Sequence, residues 1–183
     1  SQELKRTAWT VVAHSSFELA DYQVAEQAYV QVLAMTPASD ASRADLVENL
    51  AASIYKQGEA ANAAGDYRAA ANHFLRIKDA APTSKIRAGA QYDAGAALVR
   101  LQDWKGTATV LDEFRRDNPT HALVKEATQQ IANALRQAGD LASAAGEYER
   151  VADGATDPKL RAEALLTAGQ LHEDAKDFYR ALA

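Results

Sequence analysis

Asp66, Asp103, Asp140 and Asp177 stand at one fixed interval of 37 residues, and each precedes an apolar residue: Tyr67, Trp104, Leu141 and Phe178. Asp21-Tyr22 is a fifth copy, 45 residues before Asp66, which is one interval plus eight. An interval in the range of roughly 20–50 residues marks a chain of stacked units, none of which buries its apolar face alone. That condition removes most folds at once. The unit must be short, self-similar and able to pack on a copy of itself.

The stretch from Ser84 to Pro119 shows what the unit is. Ser84 suits a helix N-cap. From there Ile86, Ala90, Ala94, Ala97, Leu98 and Leu101 recur near the helical period. Gln102-Asp103 interrupts the pattern. A second helix follows, with Trp104, Ala108, Leu111 and Phe114 on one face, and Asp117-Asn118-Pro119 ends it. The same logic predicts first helices near 2–19, 42–64, 84–101, 121–138 and 158–175. It predicts second helices near 22–35, 67–78, 104–116 and 141–152, with Phe178 opening a fifth. The eight extra residues fall within 38–64. They either lengthen the first helix of the second unit by about two turns, which keeps its buried face in register, or lengthen the loop before it. With 4 prolines and 9 glycines in 183 residues, the composition suits an all-helical chain.

Laid over one another, the units carry a common signature. Trp9, Val12 and Ala13 are followed by Ala25, Tyr29 and Pro37; Gly58 by Ala70, Phe74 and Pro82; Gly95 and Leu98 by Thr107, Leu111 and Pro119; Ile131, Ala132 and Leu135 by Ala144 and Tyr148; Leu165 and Gly169 by Ala181. This resembles the tetratricopeptide-repeat (TPR) family, whose pattern is W-x2-L-G-x2-Y, then A-x3-F, then P. Gln57 and Gln91 depart from it at apolar positions, and the interval is 37 where the standard repeat has about 34. The resemblance implies an all-α, right-handed superhelical solenoid of antiparallel helix–turn–helix repeats. It would form one domain over 1–183, with repeats near 1–40, 41–83, 84–120 and 121–157 and a partial one at 158–183. The longer interval resembles bacterial cell-envelope members, which implies a periplasmic or outer-membrane-associated location; a cytoplasmic one stays open. The chain begins inside a first helix and ends just inside a second, as expected of a segment of a longer array.

Nothing in the sequence points to catalysis. There is no cysteine, so thiolate metal sites and cysteine nucleophiles are excluded. His14, His73, His121 and His172 lie beyond helical reach of one another, and no phosphate loop or nucleophile elbow occurs. The repeated Asp reads as a helix cap. No cofactor or metal is expected. A net charge of −5, with no basic cluster denser than Arg115-Arg116, speaks against nucleic acid. No apolar run approaches the ~20 residues of a membrane span.

The expected function is a non-catalytic interaction scaffold. In the family that the chain resembles, first helices line the concave face, so the resemblance implies a binding stripe through them. Advancing by the interval gives His14 and Phe17, then Tyr55, Glu59 and Asn62, then Tyr92, then Gln129, Asn133 and Arg136. Tyr55 and Tyr92, one interval apart, either offer rings and hydroxyls to an extended peptide or pack between units as core. The stripe lacks the lysines of a carboxylate clamp, and only Asn133 matches one. The expected partner is a protein or peptide. The alternative is a structural or self-assembling segment of a larger envelope protein, homo-oligomeric through open solenoid ends.

Overall fold

The computed structural model describes residues 2–177; Phe178 and Ala181, with the expected fifth second helix, lie outside them. The described residues form nine helices and no strand: α1 Gln2–Glu18, α2 Tyr22–Met35, α3 Arg43–Ala63, α4 Tyr67–Ala80, α5 Arg87–Arg100, α6 Trp104–Asp117, α7 Val124–Gln137, α8 Leu141–Gly154 and α9 Pro158–Asp174. The second helices α2, α4, α6 and α8 are all 14 residues long.

The fixed interval has a local cause at the turn inside each repeat. Asp21, Asp66, Asp103 and Asp140 each accept, through Oδ1, the backbone N–H three residues on, at 3.0–3.3 Å. Their own N–H groups donate back five residues, to Ser16, Ala61, Leu98 and Leu135, and Asp177 does the same to His172. One Asp thus closes a Schellman motif on the helix behind it and, in these four repeats, caps the helix ahead. This geometry forces the preceding residue to positive φ. Gly65 and Gly139 take it freely, whereas Ala20, Gln102 and Lys176 take it at φ 57–61°.

Between repeats a second turn recurs. Asp40, Ser84 and His121 each accept, through the side chain, the backbone N–H two residues on. Helices α3, α5 and α7 begin three residues after them, later than the expected starts at 42, 84 and 121, because these residues hold a turn and do not cap the helix directly. Most of the insertion is helix. Helix α3 has 21 residues against 14 in α5, and both end one interval apart, at Ala63 and Arg100. Seven of the eight extra residues therefore extend α3, and the eighth lengthens the turn before it. The extension anchors its surroundings: Arg43 Nη1 donates to the carbonyls of Leu33 and Thr36 at the end of α2, and Glu48 accepts from Ser84 Oγ and the Lys85 N–H.

The chain divides into two compact units, Ser1–Ala97 and Leu98–Ala183. In the first, α2 packs on α1 and α3, and α3 on α4. Its core includes Tyr29, Val32, Ile54, Phe74 and Ile77. A Cβ built on Gly58 would stand 2.5 Å from Phe74 Cε1, so the small signature residue is the point where α3 meets α4. Gln57 replaces the usual apolar residue because its Nε2 donates to Glu26 Oε2 at 2.6 Å and to the Tyr22 carbonyl. Arg76 grips the same carboxylate with both terminal guanidinium nitrogens, so α2, α3 and α4 share one polar staple. In the second unit α7 packs on α6 and α8, and α8 on α9. Leu111, Phe114 and Ile131 are buried there, with a further cluster of Ala144, Ala145 and Leu171. The Arg115 side chain is 13% exposed and bonded twice to Glu147 and once to Asp112.

Candidate functional site

Each unit holds a cleft between two consecutive first helices, floored by the second helix between them. In the first unit α1 and α3 flank a cleft of about 430 Å³. Thr7, Thr10 and His14 line one wall, Asp45 and Asn49 the other, and Val32 and Thr36 the floor. In the second unit α7 and α9 flank a cleft of about 310 Å³, with Gln129 and Asn133 on one wall, Glu163 and Thr167 on the other, and Tyr148 and Val151 beneath. Thr10, His14 and Val32 become Gln129, Asn133 and Val151 on advancing by one interval of 45 and two of 37, so the first wall and the floor of the two clefts occupy the same place in the repeat; on the opposite wall Asn49 corresponds to Leu160, about one turn before Glu163.

The stripe residues take different positions. His14 is exposed in the first cleft, 5.6 Å from the Tyr29 ring. Phe17, half-buried, meets the Tyr22 ring edge-on at 5.3 Å. Asn133 Oδ1 accepts the Tyr148 hydroxyl at 2.6 Å, and the Arg136 guanidinium lies 6.0 Å from the centroid of the same ring. Gln129 and Asn133 share the second cleft.

Tyr55 is held differently. Its ring packs on Phe74 at 5.1 Å, and its hydroxyl donates to Asp93 Oδ2 at 2.7 Å. Burial, and then the bond to Asp93, push its hydroxyl pKa well above the usual tyrosine range. Burial also raises the Asp93 carboxyl, against the opposing effect of the Tyr55 bond. The Tyr55 ring and hydroxyl are thus engaged within the first unit. Tyr92 is half-buried; Asn62 is exposed, and Glu59 is exposed and paired with Lys56 at 2.7 Å.

The stripe covers one wall only. Advancing Gln129 and Asn133 by one interval gives Leu166 and Gln170 on α9, and in the second cleft the opposite wall is set three residues earlier, at Glu163 and Thr167. On a helix that offset marks the neighbouring flank of the same face. Taking i−3 beside these two positions would have found Glu163 and Thr167, whereas Asp45 and Asn49 lie ten residues before Tyr55 and Glu59 and answer to no such rule.

Comparison with known proteins bears on the fold. No protein-family model and no curated sequence matches the chain. Among solved structures, the chain resembles MamA (residues 41 to the end) from Desulfovibrio magneticus RS-1, with a TM-score of 0.53 at 17% identity over 97% of this chain and 89% of that one. It resembles BtubC (BKLC) from P. vanneervenii, with a TM-score of 0.52 at 16% identity over 99% and 87%. A third match is a Podosopora anserina protein of nearly identical TPR-like repeats of kinesin light chain type, at 0.50 and 13% over 96% and 89%. The chain has a TPR-like repeat fold. At these identities the likeness concerns the fold alone, and the residues of the clefts must speak for themselves.

Proposed function

We propose that the protein is a non-catalytic scaffold that holds a protein partner by an extended segment laid between consecutive first helices. The observation that carries this reading is that clefts with one wall and the floor at equivalent positions recur in two repeats. Each is walled by side chains that can both donate and accept hydrogen bonds, Thr10 and His14 in one, Gln129 and Asn133 in the other. Such groups can bond a peptide backbone without demanding one side-chain sequence. Because the walls are helices, little ordering cost falls on binding.

Self-assembly is the second reading, favoured by α1. Trp9 and Val12 are each 38% exposed there, whereas Ile54, the residue equivalent to Trp9 on α3, is fully buried. Photo-crosslinking in cells separates the two. A crosslinking residue at Asn133 is expected to capture a different protein, and one at exposed Lys105 on α6 is not. Capture of the same chain from Trp9, with nothing from Asn133, would replace the groove reading by assembly.

A further inference from the structure

The cleft of the second unit runs into a basic, apolar-walled pocket, and the two share Gln129, Val151 and Leu160. The pocket measures about 270 Å³, below the roughly 300–1,000 Å³ of small-molecule sites, which suits one inserted side chain better than a cofactor. Val124, Val151, Ala155 and Leu160 make its walls. Its charged lining consists of Arg115, Lys125 and Arg150, with no carboxylate among the lining residues, in a chain whose net charge is −5.

These three cations are not equally available. Arg115 is engaged by Glu147 and Asp112. Arg150 is 63% exposed, and its one ion pair among the described residues, at 3.4 Å, is to a Glu147 already held twice by Arg115. Lys125 is exposed and makes no ion pair among the described residues. Glu147 and Asp112 thus offset much of the charge of the two arginines, and Lys125 keeps a positive charge at the mouth of the apolar pocket that no ion pair among the described residues offsets.

Resting on the groove reading above, we propose that this place selects an extended peptide segment carrying an apolar side chain next to an internal Asp or Glu. The apolar side chain enters between Val124, Val151 and Leu160. The neighbouring carboxylate meets Lys125 and Arg150. The backbone continues along Gln129 and Asn133, which places the acidic residue within the segment and not at a chain end.

The test is fluorescence anisotropy with short labelled peptides, acetylated and amidated, whose central pair is Leu–Glu, Leu–Gln, Leu–Lys or Ser–Glu. Leu–Glu is expected to bind tightest, by about fivefold over Leu–Gln, and to weaken with added salt. K125E is expected to remove that preference, whereas K105E, the same charge change on α6, leaves it. Equal affinity for Leu–Glu and Leu–Gln overturns the acidic selection while leaving the groove reading standing. Binding of no peptide at all overturns both. A fifth peptide, not amidated, ends in Leu–Glu with a free carboxylate; tight binding of that peptide alone overturns the internal placement of the acid.

Discussion

The residue before each capping Asp pays a conformational cost that its neighbours impose. Ala20 and Gln102 sit at φ 57–60° because the Asp after them must both close one helix and start the next, and Lys176 sits at φ 61° where Asp177 closes α9. The left-handed conformation costs a residue with a Cβ about 1–2 kcal/mol. Glycine avoids that cost but loses about 0.5–1 kcal/mol more backbone entropy on folding. The difference favours glycine, so Q102G is expected to stabilise the chain by about 0.5–1 kcal/mol. G139A, at the equivalent turn, is expected to destabilise it by about as much. Urea unfolding of the pair reads both signs; a loss of stability in Q102G would mean that the Gln102 side chain contributes more than its backbone strain costs.

At the scale of elements, the first unit is joined by a polar staple as well as by its core. Burial alone would raise the Glu26 carboxyl, but the bonds from Arg76 and Gln57 outweigh it and hold the pKa below its ordinary 4.5. His73, whose Nδ1 stands 2.9 Å from Arg76 Nη2, is held below 6.5 by burial and then by the Arg76 charge. Both folded-state values lie below the unfolded ones. Their stabilisation is therefore complete above the ordinary pKa and lost as pH falls through the folded value. Arg76 is 37% exposed, so screening reduces the pair's worth, and E26Q is expected to cost about 1 kcal/mol at neutral pH. Its urea midpoint is expected to fall less steeply than that of the unaltered chain below pH 4.5. Parallel curves would remove Glu26 from the acid response. The staple was hidden in the sequence because Glu26, Gln57 and Arg76 share no interval and meet only after three helices have packed. The lengthening of α3 was readable, since eight residues against a helical period of 3.6 nearly preserve the buried face. The one-residue share of the turn was not, and neither was the double turn at Ser84, where a good capping residue serves the chain three residues before the helix begins. In the clefts, register along the first helices brought out Gln129 and Asn133. It could not show that Tyr55 turns to Asp93, which lies one interval plus one residue away and answers to no repeat.

For the whole molecule, the repeat architecture decides how far a local fault spreads. Within each unit the packed pairs are consecutive helices: α1 with α2, α2 with α3 and α3 with α4 in one, and α6 with α7, α7 with α8 and α8 with α9 in the other. The ion pairs Glu26–Arg76 and Arg115–Glu147 reach one helix further, but still within one unit. When packing is this local, stability is close to a sum of local terms and nearest-neighbour interfaces. A fault at one interface then lowers the opening free energy of the elements that share it before it reaches distant ones. Gly58 offers a clean fault, because its Cβ position is already filled by the Phe74 ring. G58L is expected to cost about 1–3 kcal/mol by overpacking. In native-state hydrogen exchange, the lost protection should fall on the amides of α3 and α4, extend to α2 through its contact with α3, and leave α7, α8 and α9 unchanged. If the amides of α7–α9 lost protection by the same amount as those of α3 and α4, the chain would be opening as one cooperative block, and the nearest-neighbour account of its stability would fail.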